Sequence, residues 1–284
     1  MAGLNEIWLW LTEPFAFDFL RRAFVSALLI GALCGFVGVY VVLRRMSYIG
    51  HGLSLAVFGG AVMSFALGVN FYLGSTVWGF AAAMLIIWLG RRRNQSTDAS
   101  IGVITTASFA LGVILISAVK GLRADFDAAL FGNILSLNEA DLYVVIGTAA
   151  FIAIASFATY KHMLFATFSP EVAPVFGVRA GWLDALFALV LAALLIASMR
   201  VVGVTLIAAA LITPPATARM LTHNFHRMVL YATLIGAAGG VTGVYASWYL
   251  DWATGATIVA TYAIIFAAAF AGSNLKQRYR TVRA

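Results

Sequence analysis

Cysteine occurs once in this 284-residue chain, at Cys34, so neither an intrachain disulfide nor a thiolate metal cluster can form. Charge is almost as scarce. Asp, Glu, Lys and Arg supply 10% of the residues, and none occurs between Met46 and Gly90. A chain that is 63% hydrophobic has too much apolar surface for a soluble core of this length and is expected to lie in a membrane. Several chemistries are absent as well. The lysines are Lys120, Lys161 and Lys276, and none completes the glycine-rich loop that cradles nucleotide phosphates, so that route to ATP hydrolysis is closed. Neither a Cys-x-x-Cys pair nor a His-Glu-x-x-His zinc helix is present.

What is there is a succession of apolar runs. Reading from charge to charge places them near 23–43, 47–68, 72–90, 101–119, 142–160, 182–199, 201–218, 228–249 and 252–272. Most approach the roughly 20 residues that carry a helix across a hydrocarbon core. They are too long and too evenly apolar for the alternating strands of a membrane barrel. The expected fold is all-α: one polytopic transmembrane helical bundle of eight or nine spans, forming a single domain over residues 1–284 with little left over for a soluble domain.

The basic residues set an orientation. With the N-terminus outside and the C-terminus in the cytoplasm, 13 of the 18 Lys and Arg residues fall inside; Arg21, Arg22, Lys120, Arg123 and Arg200 fall outside. Glu6, Glu13, Asp18, Asp125, Asp127, Glu139, Asp141 and Asp251 then lie on the outer side, a mildly acidic mouth that concentrates cations. The net charge of +7 therefore reads as membrane orientation, and no nucleic-acid partner is expected, because the basic residues sit in short clusters between apolar runs. Acidic residues precede the first basic ones, so a cleavable signal peptide is not expected and the first span would direct insertion.

Small residues recur one helical turn apart, as in Gly31 and Gly35 and again from Gly236 to Gly243, which marks faces where helix backbones approach closely. Trp8, Trp10, Trp248, Tyr249 and Trp252 fit an aromatic belt at the outer interface. His51 stands apart from both patterns. It is an imidazole in the charge-free run from Met46 to Gly90, where a titratable group is costly unless it is paired or used. The residue that shares its helix face four positions on is Leu55. Ser54 lies nearby, but His162, His223 and His226 map to cytoplasmic loops, so no base reaches it and a packing hydroxyl is expected.

Two further segments carry local signals. The longest inner loop, about 161–181, offers Ser169 as a helix cap, Pro170 in the first turn, Glu171 at the positive end and Gly177 as a terminator. Such a short apolar helix in the cytoplasm needs a covering partner, and an ATPase subunit suits a chain without its own nucleotide site; the bland alternative is a connector lying on the membrane surface. Further on, Pro214 and Pro215 remove two helical donors and leave the carbonyls of Ala210 and Leu211 without their usual partners. A kink is expected there, with Thr213 or Thr217 offering replacement bonds.

Together these segments resemble a known family. Leu43-Arg-Arg-Met-Ser-Tyr-Ile-Gly50-His-Gly-Leu-Ser54-Leu-Ala-Val-Phe-Gly-Gly60 is similar to the second-helix signature of the zinc and manganese ABC importer permeases. Phe131-Gly132-Asn133-Ile134-Leu135 resembles the short motif after their fourth span, and Phe168 to Val178 their ATPase-coupling loop. Val202 to Leu221 is similar to their late apolar helix in order and spacing. The resemblance implies a permease homodimer in the bacterial cytoplasmic (inner) membrane, an ABC ATPase subunit and an extracytoplasmic metal-binding receptor. It also implies that ATP binding pushes the Pro170–Gly177 helix and tilts the spans. No covalently bound cofactor is implied; the divalent metal, zinc or manganese, is cargo.

The resemblance further implies a metal ligand at His51 and a histidine four residues later, where this chain has Leu55. A leucine offers no lone pair. Two copies of His51 across a dimer, or other oxygens, would have to complete the site, or transport would be impaired. Imidazole suits zinc and tolerates manganese, and protons compete for it, so acidification is expected to weaken metal handling. The alternative from another class is an ion-coupled secondary transporter of a small solute, which calls for several acidic residues within the spans. Asp184 is the one candidate, near a membrane edge.

Overall fold

The computed structural model describes residues 13–90, 97–118, 130, 132, 134, 137–168 and 180–283, and all regular structure among them is helical. A 3-10 turn, Glu13–Ala16, precedes α1 (Asp18–Leu43), α2 (Ser47–Ala66), α3 (Phe71–Gly90), α4 (Thr97–Ala118) and α5 (Glu139–Phe168). The chain continues through α6 (Ala180–Met199), α7 (Ile207–Leu221), α8 (Phe225–Leu250) and α9 (Thr254–Arg283). Eight of these helices are long and apolar enough to cross a membrane, which makes this a multi-pass membrane protein.

Charges end an apolar run without ending a helix. Helix α1 begins at Asp18, where a carboxylate meets the positive helix end, and carries Arg21 and Arg22 within it rather than starting at residue 23. Helix α5 runs through Lys161 and His162 to Phe168, eight residues beyond the expected end at residue 160. The seventh apolar run, 201–218, departs more substantially from the expected span. Residues 200–206 are not helical, and α7 has only 15 residues, about 22 Å against a hydrocarbon core of about 30 Å.

The irregular stretch before α7 is tolerable because Val201 to Val204 are buried in protein and most of its amides find acceptors. The amides of Val202 and Gly203 donate to Ser198 and Met199, at 2.9 and 3.0 Å, and Thr205 donates from both its amide and its hydroxyl to the Leu130 carbonyl, at 3.3 and 2.8 Å. Gly132 packs against this turn. With φ of +76° and the Val202 carbonyl carbon 2.7 Å from where a Cβ would stand, the position accepts little besides glycine.

The interior is organised around α1. Its small-residue face meets α8 so closely that a methyl on Gly31 would lie 2.2 Å from the Gly236 carbonyl oxygen, and one on Gly35 would lie 2.1 Å from that of Ala232. Helix α9 closes over this contact, and the buried Tyr262 hydroxyl donates to the Gly236 carbonyl at 2.8 Å. Helix α2 packs in the same way on α4, with Gly59 against the Ser108 carbonyl. Without a hydrophobic driving force between helices in lipid, this proximity supplies the dispersion contacts that hold the bundle together. At the end of α8 Asp251 closes the helix in the left-handed conformation, and Trp248 packs on Phe17 and Phe19, so a residue expected in the aromatic belt also braces the bundle.

Candidate functional site

Helix α2 is buried along most of its length, and His51 is an exception. The imidazole is exposed on the surface of this chain, one turn into α2. Tyr48, a turn earlier, places its ring centroid 6.1 Å from that of His51. Leu55, a turn later, is half-buried and packs on the core. The helix repeat thus aligns Tyr48, His51 and Leu55 along one outward stripe. Ser54 is buried, and its hydroxyl donates to the His51 carbonyl at 2.8 Å, the bond of a packing residue rather than of a nucleophile.

The stripe is rigidly backed. Gly50 faces the Leu211 side chain, whose Cδ2 lies 2.7 Å from where a Cβ would stand, and Gly52 faces Ile101 and Thr105 of α4. Leu211 also meets α1, because a methyl at Gly38 would fall 2.0 Å from the Leu211 carbonyl oxygen and 2.9 Å from the Pro215 ring. Pro214 and Pro215 are both buried inside α7. The Thr217 hydroxyl donates to the Thr213 carbonyl at 2.8 Å, and not to the two carbonyls freed by the prolines. The proline helix is therefore the wall behind His51, with the Leu211 carbonyl seated against Gly38. Among the described residues no group of three or more His, Cys, Asp or Glu side chains converges to hold a metal.

The proposed coupling residues Ser169, Pro170, Glu171 and Gly177 lie outside the described residues. Their flanks do not. Phe168 ends α5 and Ala180 begins α6, and Arg44, at the end of α1, reaches both helices. Its guanidinium meets Thr167 Oγ1 at 3.3 Å, Asp184 Oδ1 at 3.5 Å and Met163 Sδ at 3.9 Å, and it stacks over the Phe187 ring at 4.7 Å. Burial pulls this guanidinium below its ordinary pKa, and the Asp184 carboxylate opposes that shift.

A second cluster ties the opposite end of α6. Asp141, buried at the start of α5, accepts from Arg200 Nη1 at 3.1 Å, from the Asn138 amide at 3.1 Å and from the Tyr72 hydroxyl. Arg200 also lies over the Phe71 and Tyr72 rings. Helix α6 thus carries Asp184 near one end and Arg200 just beyond the other, each paired with a different neighbour. Reading residues one at a time missed both clusters. The signal available was topological, since the charge pattern had already put Asp141 and Arg200 on the same side of the membrane, and Asp184 near a membrane edge.

A family model described as the ABC 3 transport family matches residues 16–273. The manganese transport system membrane protein MntC of Halalkalibacterium halodurans is 32% identical over 267 residues, covering 94% of this chain and 91% of its own. The chelated iron transport system membrane protein YfeD of Yersinia pestis is 31% identical over 273 residues, covering 96% and 92%. A solved structure described as PsaBC from Streptococcus pneumoniae in complex with Fab superposes with a TM-score of 0.85 at 32% identity, over 93% of this chain and 95% of that one.

Proposed function

The chain belongs to the ABC 3 transport family, and from that premise we propose that it is the membrane-spanning permease subunit of an ATP-driven importer of a divalent transition metal ion. The observation that carries the reading is the Tyr48–His51–Leu55 stripe, an imidazole displayed outward from an otherwise buried apolar helix. A second copy facing this stripe would bring two imidazoles to one passage. The names of the relatives favour manganese or iron over a non-metal solute. Imidazole binds zinc and the softer divalent ions well and leaves calcium and magnesium to oxygen-only sites.

The chain forms a single transmembrane domain over residues 1–284, with its C-terminus in the cytoplasm. The cytoplasmic segment around Ser169, Pro170, Glu171 and Gly177 docks on a separate ABC ATPase, and an extracytoplasmic receptor delivers the metal to the outer mouth. Nucleotide-driven movement of that segment would reach α1 through Arg44 and reach the turn at residues 200–206 along α6. The proline helix then moves with α1 and α2, because Leu211 is wedged between Gly38 and Gly50.

The test is uptake of manganese and zinc by cells expressing the whole transporter with wild-type chain, His51→Ala or Leu55→His. His51→Ala should lower uptake by at least about tenfold, the size of loss that follows even when only a ligand's supporting group is removed. Leu55→His adds a donor on the same face and should tighten zinc more than manganese. Wild-type uptake by His51→Ala would sink the site assignment. Uptake that survives ATP depletion would sink the ATP-driven reading in favour of ion coupling.

A further inference from the structure

Helices α5 and α8 both pack on α1 and leave a cavity of about 670 Å³ between them, within the range of small-ligand pockets. Its walls are apolar through most of their length. Leu33 and Phe36 form the floor from α1, Ile152 and Phe157 one side from α5, and Thr233 part of the other from α8. The chemistry changes at one end, where Lys161 and His162 line the mouth and are exposed. Beside them the Tyr160 hydroxyl and His226 Nε2 lie 2.9 Å apart, joining α5 to α8 below the opening.

The depth of these groups matches half a bilayer. Helix α5 has 30 residues, about 45 Å, and Lys161 stands about 33 Å from its start at Glu139, close to the thickness of the hydrocarbon core. The apolar floor lies about 10–17 Å inside the end of α1, and Thr233 about 12 Å inside the start of α8. The cavity therefore runs from the hydrocarbon boundary toward the middle of one leaflet, with its cation at the headgroup level. No carboxylate among the described residues pairs with Lys161. Arg227, exposed at the start of α8, adds positive charge at the same end of the bundle.

We infer that this cavity is a binding site for an anionic phospholipid, with one acyl chain between α5 and α8 and the phosphate at Lys161 and His162. A zwitterionic lipid would fill the apolar part equally well but would bring a second cation to the mouth. The charge at Lys161 thus supplies the headgroup preference, while the groove supplies the affinity for the chain. The bound lipid would bridge α5 and α8 close to Met163 and Thr167, the α5 residues that Arg44 holds. The inference rests on the membrane embedding and not on which ion is carried.

The full chain, stripped of lipid in detergent, is offered phosphatidylglycerol or phosphatidylcholine of identical acyl composition, and retained lipid is counted by native mass spectrometry. One phosphatidylglycerol per chain should be retained, with phosphatidylcholine bound several-fold more weakly. Lys161→Gln should weaken phosphatidylglycerol by about fivefold, the weight of one basic residue at an anionic surface, and leave phosphatidylcholine unchanged. Thr233→Trp, which fills the groove, should weaken both lipids. Lys161 is exposed, so its variant should melt as the wild type does, which separates loss of binding from loss of fold.

Equal retention of the two lipids would overturn the headgroup assignment. Retention indifferent to both substitutions would mean annular lipid only and overturn the site. Displacement by inorganic phosphate without loss of acyl-chain contact would overturn the phosphate position. A second copy occupying the groove, seen as dimerisation abolished by Thr233→Trp, would also overturn it.

Discussion

Replacing Asp141 with alanine should destabilise the protein by about 3 kcal/mol, at the lower end of what removing one partner of a buried ion pair costs. The two partners are unequally placed. The Asp141 side chain is 3% exposed and Arg200 39%, so the carboxylate depends on its protein partners, whereas an abandoned guanidinium can turn to water. Arg200 also keeps the Phe71 and Tyr72 rings, whose centroids lie 5.1 and 5.7 Å from its charge centre. The loss is nevertheless larger than for an exposed pair, because the Asn138 amide and the Tyr72 hydroxyl lose a charged acceptor at the same time. Bonds to charged groups are worth about 1.5–3 kcal/mol each, but these share one carboxylate and do not add. Asp141→Asn keeps the shape and one acceptor oxygen and should cost less, about 1–2 kcal/mol. The assay is reversible unfolding in mixed micelles of rising sodium dodecyl sulfate, and a cycle with Arg200→Met should return a coupling of about 1–3 kcal/mol. A loss below about 1 kcal/mol for Asp141→Ala would refute the reasoning, since that is the range of solvent-exposed pairs.

Other substitutions probe other contacts. Gly236→Ala places a methyl 2.0 Å from the Gly31 carbonyl oxygen, and the same unfolding assay should register a net loss of about 1–2 kcal/mol after the helical gain of alanine is deducted. Gly147→Ala, in α5 with open space around it, should instead gain up to about 1 kcal/mol. Arg44→Lys gives up the fork that reaches Thr167, Asp184 and Met163 together, and should lower stability by about 2 kcal/mol while reducing metal transported per ATP hydrolysed by the complex. Gly132→Ala, at a positive φ against the 200–206 turn, should cost at least about 1 kcal/mol and lower uptake without altering ATPase binding in a pull-down.

Much of the architecture was legible from composition because a bilayer is an unusually strict solvent. Apolar runs of the right length have few alternatives to helices, so the spans around 47–68, 72–90 and 228–249 correspond to α2, α3 and α8 within a few residues. The misplaced ends share one cause. Arg22 and Lys161 interrupt hydropathy, but backbone hydrogen bonding continues through them at the interface. The run at 201–218 misled for a different reason. Val201, Val202 and Val204 are as apolar as a helix interior, yet they are buried as irregular backbone against Gly132 and the Leu130 carbonyl, contacts that hydropathy cannot register.

The candidate site divides in the same way. His51 was conspicuous because an imidazole in a charge-free run is expensive, and Leu55 was conspicuous by its position on the same helix face. Neither fact says whether the ring points into the bundle or out of it. That depended on α7, whose Leu211 fills the space beside Gly50, and on α4, which covers Gly52, leaving His51 the outward side. The two Arg–Asp clusters were invisible for the same reason, since their partners lie 140 and 59 residues apart.

By itself, then, the sequence determined the solvent, the helical class, the approximate spans and the one imidazole worth asking about, because these follow from local hydropathy, charge and the helix repeat. Tertiary structure decided the direction His51 faces, the conversion of the seventh apolar run into an irregular turn and a short helix, and the pairing of Arg44 with Asp184 and Asp141 with Arg200. Those outcomes depend on which distant surfaces exclude lipid and water from one another, and that is a property of the packed bundle rather than of any segment within it.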